Sequence, residues 1–110
     1  MDRIGKKKEA VRCIEKAIIL DPNHVLSYFC KGNILKGIDK CEEAVQCYDK
    51  SISLNPNYAN AYYEKGNALK VKRKMTEAVD CYEKAVSLNP DHKGAIENKR
   101  MILNEMAASK

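Results

Sequence analysis

Proline occurs only as Pro22, Pro56 and Pro90, each 34 residues from the next. All three sit in nearly the same phrase: Leu20-Asp21-Pro22-Asn23, Leu54-Asn55-Pro56-Asn57 and Leu88-Asn89-Pro90-Asp91. Aligning residues 25–58 with 59–92 gives identity at 17 of 34 positions, where chance would give roughly two. The chain is therefore built by duplication of a unit too small to enclose a core alone, and stacked units must bury a core together.

Within each unit the apolar residues recur three and four apart, as one face of a helix requires. This predicts helices from Val25 to about Ile38 and from Ala59 to about Lys72, each ending in a short polar turn. The turns are Gly37-Ile38-Asp39-Lys40 and Val71-Lys72-Arg73-Lys74. A second helix follows, from about Cys41 to Leu54 and from about Met75 to Leu88. Pro56 and Pro90 come just past its end, where a residue that cannot continue a helix belongs.

These residues resemble the tetratricopeptide repeat signature. Tyr28-x-x-Lys31-Gly32-x-x-Leu35, then Ala44-x-x-x-Tyr48, Ser51 and Pro56 carry the resemblance, and so do Tyr62-x-x-Lys65-Gly66-x-x-Leu69, Ala78-x-x-x-Tyr82, Ala85 and Pro90. Tyr stands for the usual Trp, Lys for an apolar residue, Leu for Tyr, and Ser51 for Ala. Gly32 and Gly66 on first helices, with Ala44 and Ala78 on second helices, allow close backbone approach, and Tyr48 and Tyr82 fill the space beside them. Ala10-x-x-x-Ile14, Ala17 and Pro22 match a second helix alone. Ile96-x-x-Lys99-Arg100-x-x-Leu103 matches a first helix alone, with Arg100 where Gly32 and Gly66 stand, so residues 93–107 are expected to form a capping helix.

The resemblance implies an all-α fold, about six antiparallel helices in a short right-handed superhelix forming a single domain over 1–110. Its expected parts are a partial repeat at 1–24 (second helix only), full repeats at 25–58 and 59–92, and a C-terminal cap at 93–110. The side of the 8–20 helix carrying Ala10, Ile14 and Ala17 is then expected to be bare, covered by further upstream sequence or by another copy of the chain.

Composition narrows the function. Apolar residues make up 45% and charged residues 32%, with six Tyr, one Phe and no Trp, which suits thin repeated layers on a well-solvated surface better than one large core. No apolar run approaches the roughly 20 residues that span a bilayer, and residues 1–8 do not lead into a secretion signal. The five cysteines contain no Cys-x-x-Cys pair, which argues against a disulfide framework and for a reducing compartment, cytoplasmic with nuclear as an option.

Phosphate-binding loops, His-Glu-x-x-His and Gly-x-Ser-x-Gly are absent. His24 and His92 are 68 residues apart, two layers apart in the implied fold. No catalytic residue, metal or cofactor is expected. Cys13, Cys47 and Cys81 share one register and read as small, half-buried packing residues.

The resemblance implies instead a protein or peptide partner, held in a concave groove lined by first helices. On that face lie Phe29, Asn33 and Lys36 in one unit, Tyr63, Asn67 and Lys70 in the next, and Asn98 on the capping helix. The rings would hold apolar side chains of an extended segment and the carboxamides its backbone. The subclass that clamps the C-terminal carboxylate of heat-shock chaperones needs Lys, Asn and Arg where Phe29, Glu64, Gly94 and Asn98 stand. Clamp-type chaperone binding is therefore not expected. Lys6, Lys7, Lys8, Lys36, Lys40, Lys70, Lys72, Arg73 and Lys74 gather around the turns as a basic edge, which would suit an acidic partner or simply be solvated. Nucleic acid and membrane are not expected, because the exposed aromatics that interleave such lysines are lacking. The other reading is a self-associating piece of a larger scaffold with no peptide ligand of its own.

Overall fold

The computed structural model describes residues 3–108; the outermost residues of the expected first and last segments, 1–2 and 109–110, lie outside the described residues. It is all-helical: α1 Arg3–Leu20, α2 Val25–Gly37, α3 Cys41–Leu54, α4 Ala59–Val71, α5 Met75–Leu88 and α6 Lys93–Ala108. The chain forms two compact units that divide between Pro56 and Asn57. In the first, α2 packs on α3 and α1 on α2; in the second, α4 packs on α5 and α6 on α5. The N-terminal helix starts at Arg3, earlier than the apolar stripe alone implies.

Each helix pair closes on one ring. Tyr48 and Tyr82 are fully buried, and so are Ala44 and Ala78 beside them. A β-carbon on Gly32 would lie 2.6 Å from Tyr48 Cε1, and one on Gly66 would lie 2.7 Å from Tyr82 Cε1. Only hydrogen fits where the ring meets the first helix. Burying a side chain of this size stabilises by about 2 kcal/mol, and the glycine makes that burial sterically possible.

The turn inside each unit is a Schellman motif. Lys40 N–H donates to Leu35 O at 2.9 Å and Asp39 N–H to Lys36 O at 3.2 Å; Lys74 N–H donates to Leu69 O at 2.9 Å and Arg73 N–H to Lys70 O at 3.0 Å. These bonds satisfy carbonyls that the helix end leaves open. They require a left-handed residue at the pivot, and Asp39 and Arg73 both take it, with φ 65°.

Two departures from the repeat signature have physical reasons here. Ser51 is fully buried, and its hydroxyl donates to Val25 O at 3.0 Å, so the polar atom that replaces a methyl is satisfied and ties α3 to the start of α2. Lys31 and Lys99 reach Glu15 and Glu83 on the adjoining helix, each pair at 3.5 Å. The lysine stem covers the helix contact while its charge stays at the surface.

Cys47 and Cys81 are buried, whereas Cys13 is exposed, so the half-buried expectation fails for the first of the three. Burial pushes the Cys47 thiol up, partly offset by Lys31, which makes it an unreactive packing residue.

Candidate functional site

The residues expected to line the groove fall in both units. In the first, Phe29, Asn33 and Lys36 are half-buried. The Phe29 ring lies 6.0 Å from that of Tyr48, tilted by 54°. Tyr48 Oη donates to Asn33 Oδ1 at 2.6 Å. The buried tyrosine thus uses its polar end to orient the asparagine above it, while its body fills the core.

In the second unit the same device recurs and is extended. Tyr63 lies 5.9 Å from Tyr82, tilted by 48°, and Tyr82 Oη donates to Asn67 Oδ1 at 2.6 Å. Asn98 Nδ2, on α6, donates to the same oxygen at 2.9 Å. Asn67 Nδ2 then donates to Glu64 Oε1 at 3.0 Å. Asn67 Oδ1 accepts two hydrogen bonds and its amide makes a third, so this carboxamide positions its neighbours as well as facing outward. Burial, opposed by the Asn98 amide and aided by nearby Tyr63, Cys81 and Glu64, pushes the Tyr82 hydroxyl up to about 12. Tyr82 stays a neutral donor at any physiological pH.

Tyr63 is wedged at the start of α6. Its ring lies 4.6 Å from the His92 ring, and a β-carbon on Gly94 would strike its Cζ at 2.8 Å. His92 Nδ1 accepts from the Ala95 N–H at 3.2 Å, capping the helix start, which places the ring proton on Nε2, 3.0 Å from Asn60 Oδ1. This capping role was missed in the sequence. The register carried no signal for it: His24 and Tyr58 stand at the same place, two residues past their prolines, and make no side-chain cap.

Beside the Asn67–Asn98 pair opens a pocket of about 590 Å³ between α4 and α6, lined by Asn67, Lys70, Arg73 and Asn98 with Val71, Met75 and Glu105. It brings together four of the residues singled out from sequence. Of the basic-edge residues that flank Arg73, Lys72 is half-buried and Lys74 is exposed, Lys74 holding the N-cap position of α5.

Among the described residues no group of three or more His, Cys, Asp or Glu side chains gathers to hold a metal ion. None of the described helices is long and apolar enough to cross a membrane.

Similarity to known proteins follows the repeat. The sequence matches the family described as Tetratricopeptide repeat over residues 59–92 and again over 2–24, and the one described as TPR repeat over 38–71. No match was found among curated proteins. Of solved structures, the first TPR of Spaghetti (RPAP3), bound to the HSP90 peptide SRMEEVD, is 27% identical with a TM-score of 0.89, covering 94% of this chain and 82% of that one. The second TPR domain of human RPAP3, in complex with the HSP70 peptide SGPTIEEVD, is 28% identical with a TM-score of 0.84, covering 89% and 82%. The Arabidopsis OM64 TPR domain, at 20% identity and a TM-score of 0.85 over 89% and 81%, shares the fold alone.

Proposed function

The chain belongs to the tetratricopeptide repeat family, and from that premise we propose that it is a protein-interaction module, not an enzyme, that holds an extended segment or helix of a partner. The observation that carries this reading is the carboxamide pair of α4 and α6. Tyr82 fixes Asn67, Asn67 fixes Asn98, and both asparagines line the open pocket with Lys70 and Arg73. Oriented amides beside apolar Val71 and Met75 suit a polypeptide, which offers alternating backbone polar groups and side chains. On the first unit, Phe29, Asn33 and Lys36 offer the same chemistry on α2.

Two similar domains bind peptides containing Glu-Glu-Val-Asp, which supports a peptide ligand here. The basic Lys70 and Arg73 favour an acidic one. The ligand is held without the carboxylate clamp, because Phe29, Glu64, Gly94 and Asn98 stand at the places the clamp needs.

A displayed random-peptide library selected on the immobilised chain tests the reading. It should enrich peptides whose affinity falls about tenfold in a Lys70→Glu, Asn98→Ala double variant that keeps its helical signal, since losing a charged contact and its neighbour commonly costs more than 1.4 kcal/mol. No enrichment, or peptides indifferent to both changes, overturns it.

A second reading, self-association as part of a scaffold, is favoured by one observation: Ile19 and Leu20 at the end of α1 are 77% and 87% exposed.

A further inference from the structure

The first unit carries another pocket, on the opposite side of α2 from Phe29 and Asn33. Its residues Lys31 and Leu35 follow those two by two positions, roughly 200° round the helix. The pocket measures about 370 Å³ and is open to solvent. Most of its exposed lining is polar; the apolar part is small, the half-buried Val11 of α1 and Ile38 of the turn over Leu35 of α2, which is only 4% exposed. Its rim carries the cations Lys8, Arg12, Lys31 and Lys40 against the carboxylates Glu15 and Glu43. Lys31 and Glu15 pair with each other at 3.5 Å, so the charge left over is positive.

The chain's own repetition separates what is inherited in this pocket from what is not. At the same register, the α5 and α6 pair repeats Val11, Glu15, Lys31 and Leu35 as Val79, Glu83, Lys99 and Leu103, with the ion pair repeated as Lys99 with Glu83. Those residues come with the repeat, whether packed, as Val79 is, or exposed, as Leu103 is. Lys8 and Arg12 are different. Their counterparts are Thr76 and Asp80 in α5, and Glu42 and Gln46 in α3. Both cations are exposed, so packing does not require them. Only in α1 does this register turn from neutral or acidic to basic, and there it borders this pocket.

We propose that this pocket is a second docking site, which takes a short acidic segment of a partner protein: its carboxylates on Lys8, Arg12 and Lys40, with an apolar side chain against the half-buried Val11 and Ile38 between them. The charge selects the ligand. A basic or neutral segment gains nothing from the rim, whereas an acidic one pairs as it buries its anchor, so Arg12 can bind a carboxylate through two parallel N–H groups. The site is independent of the α4 and α6 surface proposed above.

The test uses the whole chain, labelled with nitrogen-15, titrated with the blocked peptide acetyl-Glu-Leu-Asp-Glu-Leu-amide, whose amidated end offers no terminal carboxylate. Saturable shifts are expected at the amides of Arg12, Glu15, Leu35 and Ile38, and none with the same peptide carrying Lys for its acids. Changing Lys8→Thr and Arg12→Asp, the residues that α5 already uses at this register, should leave the spectrum folded and weaken binding about tenfold. Lys70→Glu should leave it unchanged. Shifts confined to α4 and α6 would sink this site while supporting the other. Absence of saturable shifts, binding indifferent to Lys8 and Arg12, or a single-stranded oligonucleotide that saturates the same amides at lower concentration than the peptide would each overturn the proposal.

Discussion

Tyr82 does two jobs with one side chain. Its ring fills the gap that Gly66 leaves, and its hydroxyl anchors Asn67 at the candidate surface. The burial that makes the first job stabilising also pushes its ionisation from the ordinary 10.0 up to about 12. A folded-state value above the unfolded one gives stability that is complete below pH 10 and lost as pH rises, because the unfolded chain ionises first. Stability should therefore fall between about pH 10 and pH 12 by on the order of 2 kcal/mol. Chemical denaturation of wild type and Tyr82→Phe across that window checks it: the variant's pH dependence should be flatter by that amount. Identical slopes would mean that Tyr82 ionises as easily in the folded chain as in the unfolded one. At this scale the sequence was informative about bulk and uninformative about bonds. The Gly66 and Tyr82 pairing was legible because size complementarity leaves a composition signal at fixed spacing. The Asn67 to Asn98 bond was not, since it joins residues 31 apart whose carboxamides look alike whether they face solvent, ligand or each other.

The helices themselves were legible because three independent signals divide the chain between them: apolar periodicity along each helix, a proline past each second helix, and a polar turn between the two helices of a unit. Less legible was how the inner turn is built. A Schellman turn usually announces itself with glycine at the left-handed residue, and here the chain places Asp39 and Arg73 there instead. Left-handed backbone is costly for a residue with a β-carbon, by about 1 kcal/mol or more, and Asp tolerates it better than Arg because its short side chain can bond locally. Arg73→Gly should therefore stabilise the chain by roughly 0.5–1 kcal/mol, the relief being partly offset by glycine's greater freedom when unfolded. The urea midpoint should rise accordingly, and a fall would show that the Arg73 side chain contributes more than its backbone costs. A β-branched residue at the same place should do the reverse. Since Arg73 also borders the α4 and α6 pocket, strain tolerated at this turn is consistent with a cation kept for binding.

At the scale of the whole molecule the repeat predicts where apolar surface is covered, and α1 breaks that pattern at one end. Ala17 shares its register with Ser51 and Ala85, which are fully buried, yet Ala17 is exposed. Leu20 is 87% exposed where Leu54 and Leu88 are half-buried, and Ile19, 77% exposed, replaces Ser53 and Ser87. Ala10 and Ile14, expected from sequence to be bare, are half-buried, so the open surface lies at the last turn of α1 and not along its middle. That shift decides which variant to make. A charge at Ile14 would disturb the packing of α1, whereas Ile19→Ser installs the residue the chain already uses at this register, and Leu20→Lys adds a charge where little is packed. Neighbouring large apolar side chains with such exposure favour association when concentration permits. Light scattering of the 110-residue chain should show a mass that rises with concentration, and the double variant should return it to the monomer without loss of helical signal. A wild-type mass that stays monomeric at about millimolar concentration would remove the ground for the self-association reading and leave the binding surfaces of the two units as the module's working parts.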